Sequence, residues 1–515
     1  MIVGLDTPPG QVMTDAELDA LADPFAVLAL RRGERPQSVD AVVALLAAAS
    51  ARPEFAASAV PERLSFVVGE GGQIPFTDAT GRLARALRFV VVLRGAAGPD
   101  GPPVVMISLD DRPGAGDGLL QILGWDPEKR AYNFYQRRQG VWFHSGDGTR
   151  ALNPPTRMTG PFDGHVNGSL VMKELRQPWL HWQSQTVGIA REAFAPGHPI
   201  VNHPFFTEAR GAEILETQVI VPGIRRWTKA RLDSAVNGGR IRGARTLFRQ
   251  VVETTTVNLV ASPTEFSLID DTTAVTVPLE IHLNREFWTA ADILDPLAIR
   301  GRTTVPGALY RVAVAELGVE LREQRSGFAR PGDSFFVLAC PAPAFEDLDV
   351  IMTLIERGVL SRRFARALLA VDFANPIQSA RRATLLRHFP DEGAAGTGDG
   401  SVEAAALASM AAAAAGSPGS VEAEVVARME GDEAASRTAL GEELAAYVAA
   451  VRARLATPEG AHDLVRLVAS RRRYFRTLGV SEFDLTLPFS SEPEDADPLE
   501  MVADGTVRAA PNLIS

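Results

Sequence analysis

A chain of 515 residues, 46% hydrophobic and 22% charged, carries enough apolar material for a large core and for more than one domain. Its net charge of −11 argues against a surface built to hold nucleic acid, which needs a basic face. The single cysteine, Cys340, excludes an intrachain disulfide and any thiolate-rich zinc or iron–sulfur centre.

The opening residues, MIVGLDTPPG, lack the basic start and apolar run of a signal peptide. No run of about 18 strongly apolar residues occurs, so a cytoplasmic protein without membrane insertion is expected. Thr14 and Glu17 have capping-box spacing and predict a short helix; Asp40–Ser50 predicts a second. From Leu64 to His144 the pattern changes to short β-branched and aromatic runs separated by Gly, Pro and Asp, which predicts an antiparallel meander. Within it, YNFYQRR, QG and VWFH read as a hairpin.

Asn167 is placed to cap a helix over Ser169–Arg176, stopped by Pro178. A loop rich in Pro and His follows, to Pro204. Helices are expected over Glu208–Val219, Ile224–Ser234 and Gly243–Glu253. Thr255–Val260, Ala274–Val277, Glu280–Leu283 and Ser334–Ala339 read as strands. Helices are expected over Arg285–Leu294, Ala308–Leu317, Asp347–Arg357 and Arg362–Val371, with Gly318 ending the second. Residues 391–420 are rich in Gly, Ala and Ser and read as a flexible linker. Val421–Leu455 is helical in pattern. Thr457-Pro458-Glu459 opens a further helix, and an acidic tail follows Ser490.

The fold expected is therefore α+β, an N-terminal antiparallel β meander with a larger mixed and helical remainder. Four regions are expected: 1–150 with the meander, 151–390 as a mixed core region, 391–420 as the linker, and 421–515 as a helical segment with an acidic tail.

Chemistry concentrates in Pro161–Phe206. Four of the eight histidines, His165, His181, His198 and His203, lie there, and His144 is just upstream. Four of the six tryptophans are close by in sequence: Trp125, Trp142, Trp179 and Trp182. Imidazole and carboxylate suit a transition metal, with iron first, so His165, His181, His198 and His203 are candidate ligands and Glu174 the candidate catalytic carboxylate. A lone axial histidine in an aromatic pocket also suits a non-covalent haem. The spacing contains no H-E-x-x-H, and histidines that cap loops and bond to backbone carbonyls in a Trp-lined core are the alternative reading of these residues. Between Arg225 and Arg249 eight cations face one acid, Asp233, which makes Arg226 and Arg245 candidates for holding an anionic small-molecule ligand. Two functions are expected from this. One is a metal-dependent oxidoreductase acting on a small, anionic organic substrate. The other is a non-catalytic binding or assembly protein with structural histidines.

Overall fold

The short apolar runs of the first 150 residues pair as a sheet, and its central strands are buried on both faces, as unbroken β-branched and aromatic runs require. The computed structural model describes the chain except residues 1, 5–9, 72–73, 75–79, 82, 84–85, 96–100, 102, 109–119, 154, 158–159, 172–176, 190, 293–302, 324–325, 478–484 and 511–515. The fold is α+β. The chain forms two compact units, one of Met1–Leu175 with His181–Ala230, the other of Arg176–Leu180 with Arg231–Ser515.

In the first unit, β1 (Ile2–Gly4) and β2 (Gln11–Val12) form a small hairpin. The six strands β3 (Glu62–Glu70), β4 (Ala86–Arg94), β5 (Val104–Ser108), β6 (Leu120–Asp126), β7 (Ala131–Arg138) and β8 (Val141–Asp147) then run in sequence order, each antiparallel to the next. This is the expected meander. It is extended at one end by β1, which lies parallel to β8 and makes the sheet mixed. The β7–β8 turn places Gln139 and Gly140 at positive φ, as a two-residue hairpin turn requires. Phe25, Leu46, Val91, Met106, Ile122, Tyr135 and Trp142 share one buried cluster on a face of the sheet. Each such side chain contributes about 1.5–3 kcal/mol by leaving water. The free edge of β3 is covered: Gly69 N–H donates to the His181 carbonyl (3.1 Å) and Gln183 N–H to the Val67 carbonyl (2.9 Å).

The second unit is mostly helical around one large apolar cluster. Residues 391–420, expected as a linker, instead hold a strand, Glu392–Ala394, and a helix, Val402–Ala414. The composition is of low complexity, but Val402, Ala406 and Met410 recur every four residues and are fully buried. Ser401 caps the helix, accepting from Ala404 N–H at 3.0 Å. The tail after Ser490 also packs, as Leu499–Met501 pairs with Val507–Ala509 and both Leu499 and Met501 are buried.

Three further segments differ from expectation. Residues 169–171 are not helical, and residues 172–176 lie outside the described residues. Glu280–Leu283 is not a strand. Pro278 starts a 3₁₀ turn there, with Ile281 N–H donating to its carbonyl at 3.1 Å. Ser334–Ala339 is wound into a turn by the Asp333 carboxylate, which accepts the N–H groups of Ser334 (2.7 Å) and Leu338 (2.9 Å). The strand begins later, at Cys340–Pro343, against Val257–Val260. Among the described residues no helix is long and apolar enough to cross a membrane.

Candidate functional site

The histidine-rich stretch lies in the first unit, in loops and single turns beside the sheet. His198 and His203 stand at the two ends of a 3₁₀ turn, Pro199–Asn202. Each uses Nδ1 as an acceptor: His198 from Ile200 N–H (3.3 Å) and His203 from Phe205 N–H (3.2 Å). A neutral imidazole that accepts at Nδ1 carries its proton on Nε2. That Nε2–H of His203 faces Asp40 at 3.4 Å. Both rings therefore act as turn caps, in the tautomer opposite to that of an Nε2 metal ligand.

His165 behaves differently. Its Nδ1 lies 2.7 Å from the Ser169 carbonyl and 3.4 Å from Val171 N; a carbonyl can only accept, so the shorter contact has Nδ1–H donating and leaves the lone pair on Nε2. Its ring packs edge-on to Phe134, centroids 5.4 Å apart. His181 sits at the covered sheet edge with φ 66°, its carbonyl taken by Gly69. Burial, with the Arg88 guanidinium adding to it, pushes its imidazole down to about 3, so it is neutral at any ordinary pH. Glu174 lies outside the described residues. Among the described residues no group of three or more His, Cys, Asp and Glu is placed to hold a metal ion.

The two arginines singled out from the basic stretch belong to different units. Arg226 lies over the Trp125 ring, 5.7 Å from its centroid, and reaches the Tyr132 hydroxyl at 3.4 Å. Arg245 donates twice to the Phe389 carbonyl, at 3.2 and 3.1 Å. The lone acid of the stretch, Asp233, pairs with Arg357 at 2.6 Å.

Two features are not visible in the sequence. The first is a buried polar network under the sheet. Asp23 caps the turn Pro24–Leu28 and accepts from Asn133 Nδ2 (2.8 Å) and the Tyr135 hydroxyl (2.5 Å). Asp126 accepts from the same Asn133 nitrogen at 3.2 Å, and His144 Nε2 is 3.4 Å from Asn133 Oδ1. Gly124 makes room for it, since a Cβ there would stand 2.6 Å from Asp23 Oδ1. Every one of these groups is buried, and burial raises the pKa of Asp23. The Asp-Pro pair at 23–24 was the available signal, as a capping acid before a first-turn proline.

The second feature is an open groove of about 830 Å³ in the second unit. Its wall is the helix Gly307–Glu316, which presents Val312 and Ala315; Phe266, Val319 and Pro331 complete an apolar lining. Gly307 sets the helix in place, because its N–H donates to Thr273 O (2.8 Å) and a Cβ would stand 2.2 Å from Asp270 O. That close approach brings Arg311 to Asp271, 3.2 Å apart on the rim. Glu320 pairs with Arg322 at 2.6 Å, so the rim is charged but locally neutral. Beneath the helix, Tyr310 donates to Asp333, which also holds Arg472 at 2.7 Å, and all three are buried. Val312 is 53% exposed, and Leu268, in the turn that carries Phe266, is 68% exposed. Val312 thus faces water from the wall of the hollow, and Leu268 lies two residues along the chain from the lining residue Phe266. No protein-family model matches the chain, and neither a curated protein nor a solved structure does.

Proposed function

We propose that this chain is a non-catalytic binding or assembly protein whose working surface is the groove beside helix Gly307–Glu316. The observation that carries this reading is the open apolar hollow with Val312 and Leu268 exposed at its side. The histidines are structural in this reading. The Nδ1 contacts of His198 and His203 support that role, since each ring completes the first turn of a short helical segment.

One observation favours the other reading, a metal-dependent oxidoreductase acting on a small anionic substrate. His165 holds its lone pair on Nε2, the form that suits a transition metal or a non-covalent haem iron. Two measurements on the purified chain separate the readings. Anilinonaphthalene sulfonate at submicromolar protein should bind saturably, and Val312→Glu should abolish the signal while leaving circular dichroism unchanged. Elemental analysis and the visible spectrum should show no stoichiometric metal or haem. A stoichiometric iron or haem that is lost in His165→Ala would overturn the proposal, as would a groove to which no dye binds.

A further inference from the structure

The groove has a property that narrows what covers it. Of the two ion pairs on its rim, Glu320 is the least exposed member at 24%, whereas Arg311 and Asp271 stand side by side with their side chains 53% and 78% exposed. A partner of single charge sign would gain from one and be repelled by the other. A partner bearing the same two charges in inverted order would satisfy both. This chain presents that pattern itself, together with an apolar projection, Val312, next to an apolar hollow on the same surface.

We infer that the groove's partner is a second copy of this chain, joined across a two-fold axis that passes beside helix Gly307–Glu316. In such an isologous contact the same patch appears on both sides. Val312 of each copy enters the hollow of the other. Arg311 of each exchanges its own Asp271 for the Asp271 across the axis, so two internal ion pairs become two crossed ones and no charge is left facing its like. The inference rests on the reading of the groove as a surface made to be covered, and it adds the occupant. Local neutrality matters here, because a chain with a net charge of −11 repels its copies unless the contacting faces cancel. The floor is fit for the task. The buried Tyr310–Asp333–Arg472 contacts fix the helix from below, so little ordering is required on association.

Sedimentation of the full chain tests this. The parent should move from its 55.2 kDa monomer to twice that mass as concentration rises through roughly the micromolar range, the span expected for a modest interface. Arg311→Asp alone and Asp271→Arg alone should each stay monomeric at concentrations at least about tenfold higher, because each places like charges opposite one another. An equimolar mixture of the two should dimerise again, since every crossed pair is then of opposite sign. Val312→Glu should stay monomeric alone and in any mixture. A parent that is monomeric to about 100 µM, or a dimer indifferent to the charge exchange, would overturn the inference. If the parent stays monomeric yet the dye binds and Val312→Glu loses it, the second copy is the wrong occupant and the binding surface stands. If there is neither dimer nor dye, both fall.

Discussion

His282 offers a direct test of how the second unit is built. It ends the 3₁₀ turn Leu279–Ile281, is fully buried, and neither ring nitrogen has a hydrogen-bond partner among the described residues. Burial, with Arg471 adding to it, pushes its pKa from the usual 6.5 down to about 3. The folded state therefore refuses a proton that the unfolded chain accepts. The neutral imidazole costs nothing extra above about pH 6.5; below it, folding stability falls by about 1.4 kcal/mol per pH unit, until about pH 3 where the folded state also takes the proton. His282→Leu removes this term. At neutral pH the change should be small, because losing an unpartnered ring N–H, about 1–3 kcal/mol, offsets an imperfect fit of up to about 1.5 kcal/mol. At pH 4.5, two units below 6.5, the variant should have gained about 2.7 kcal/mol on the parent relative to pH 7.5. Urea unfolding of both proteins at several pH values measures the difference, and other titrating groups cancel in it. A difference that stays flat between pH 7.5 and 4.5, or that shrinks, would show that the imidazole is hydrated or paired and that the reasoning is wrong.

Three other outcomes are expected. Gly124→Ala should destabilise the first unit by about 2–4 kcal/mol, since a Cβ 2.6 Å from Asp23 Oδ1 must dislodge a buried acid from its donors; a urea midpoint within error of the parent's would refute this. Arg472→Met should cost about 3–5 kcal/mol by leaving Asp333 buried with its ionic partner gone, whereas Arg472→Met combined with Asp333→Leu should recover part of the loss; equal losses in the two variants would speak against the pair. Limited proteolysis should spare Val402–Ala414 in the parent and cut there in Met410→Ala, a core truncation worth about 2–5 kcal/mol; early cleavage of the parent within that helix would show that it is not packed.

Local rules were readable wherever one side chain decides the outcome. Thr14 and Glu17 form the capping box that their spacing requires, and Gly318 takes the positive φ that stops the preceding helix. The meander was readable because its strands are short β-branched and aromatic runs set apart by Gly, Pro and Asp, and its neighbours in space are neighbours in sequence. Composition misled at 391–420, where alanine and glycine conceal a narrow apolar stripe that long-range packing completes. It misled again at 334–339, where one carboxylate, Asp333, captures two backbone N–H groups and overrides an apolar run. Histidine density was visible, but which nitrogen of each ring carries the proton depends on the backbone that it meets. The groove was not visible at all. Val312 reads in sequence like any core residue of an apolar helix, and only the arrangement of the described residues between 266 and 332 shows that none of them covers it.

The parallel seam between β1 and β8 has a consequence for the order in which the first unit is assembled. Ile2 pairs with Trp142, and Gly4 with His144, so a three-residue strand is joined to a partner some 140 positions away. The β7–β8 hairpin closes across a two-residue turn, whereas closing the seam costs about 4 kcal/mol more in chain entropy, at roughly 0.6 kcal/mol for each of about six doublings of loop length. Three residues of ladder return little against that. On the ribosome, β1 emerges first and can pair with β2, but that small hairpin has no place in the larger sheet until β8 has been made. The earliest part of the sheet to be synthesised is then the last to be stitched in, and the seam is where that sheet should open first.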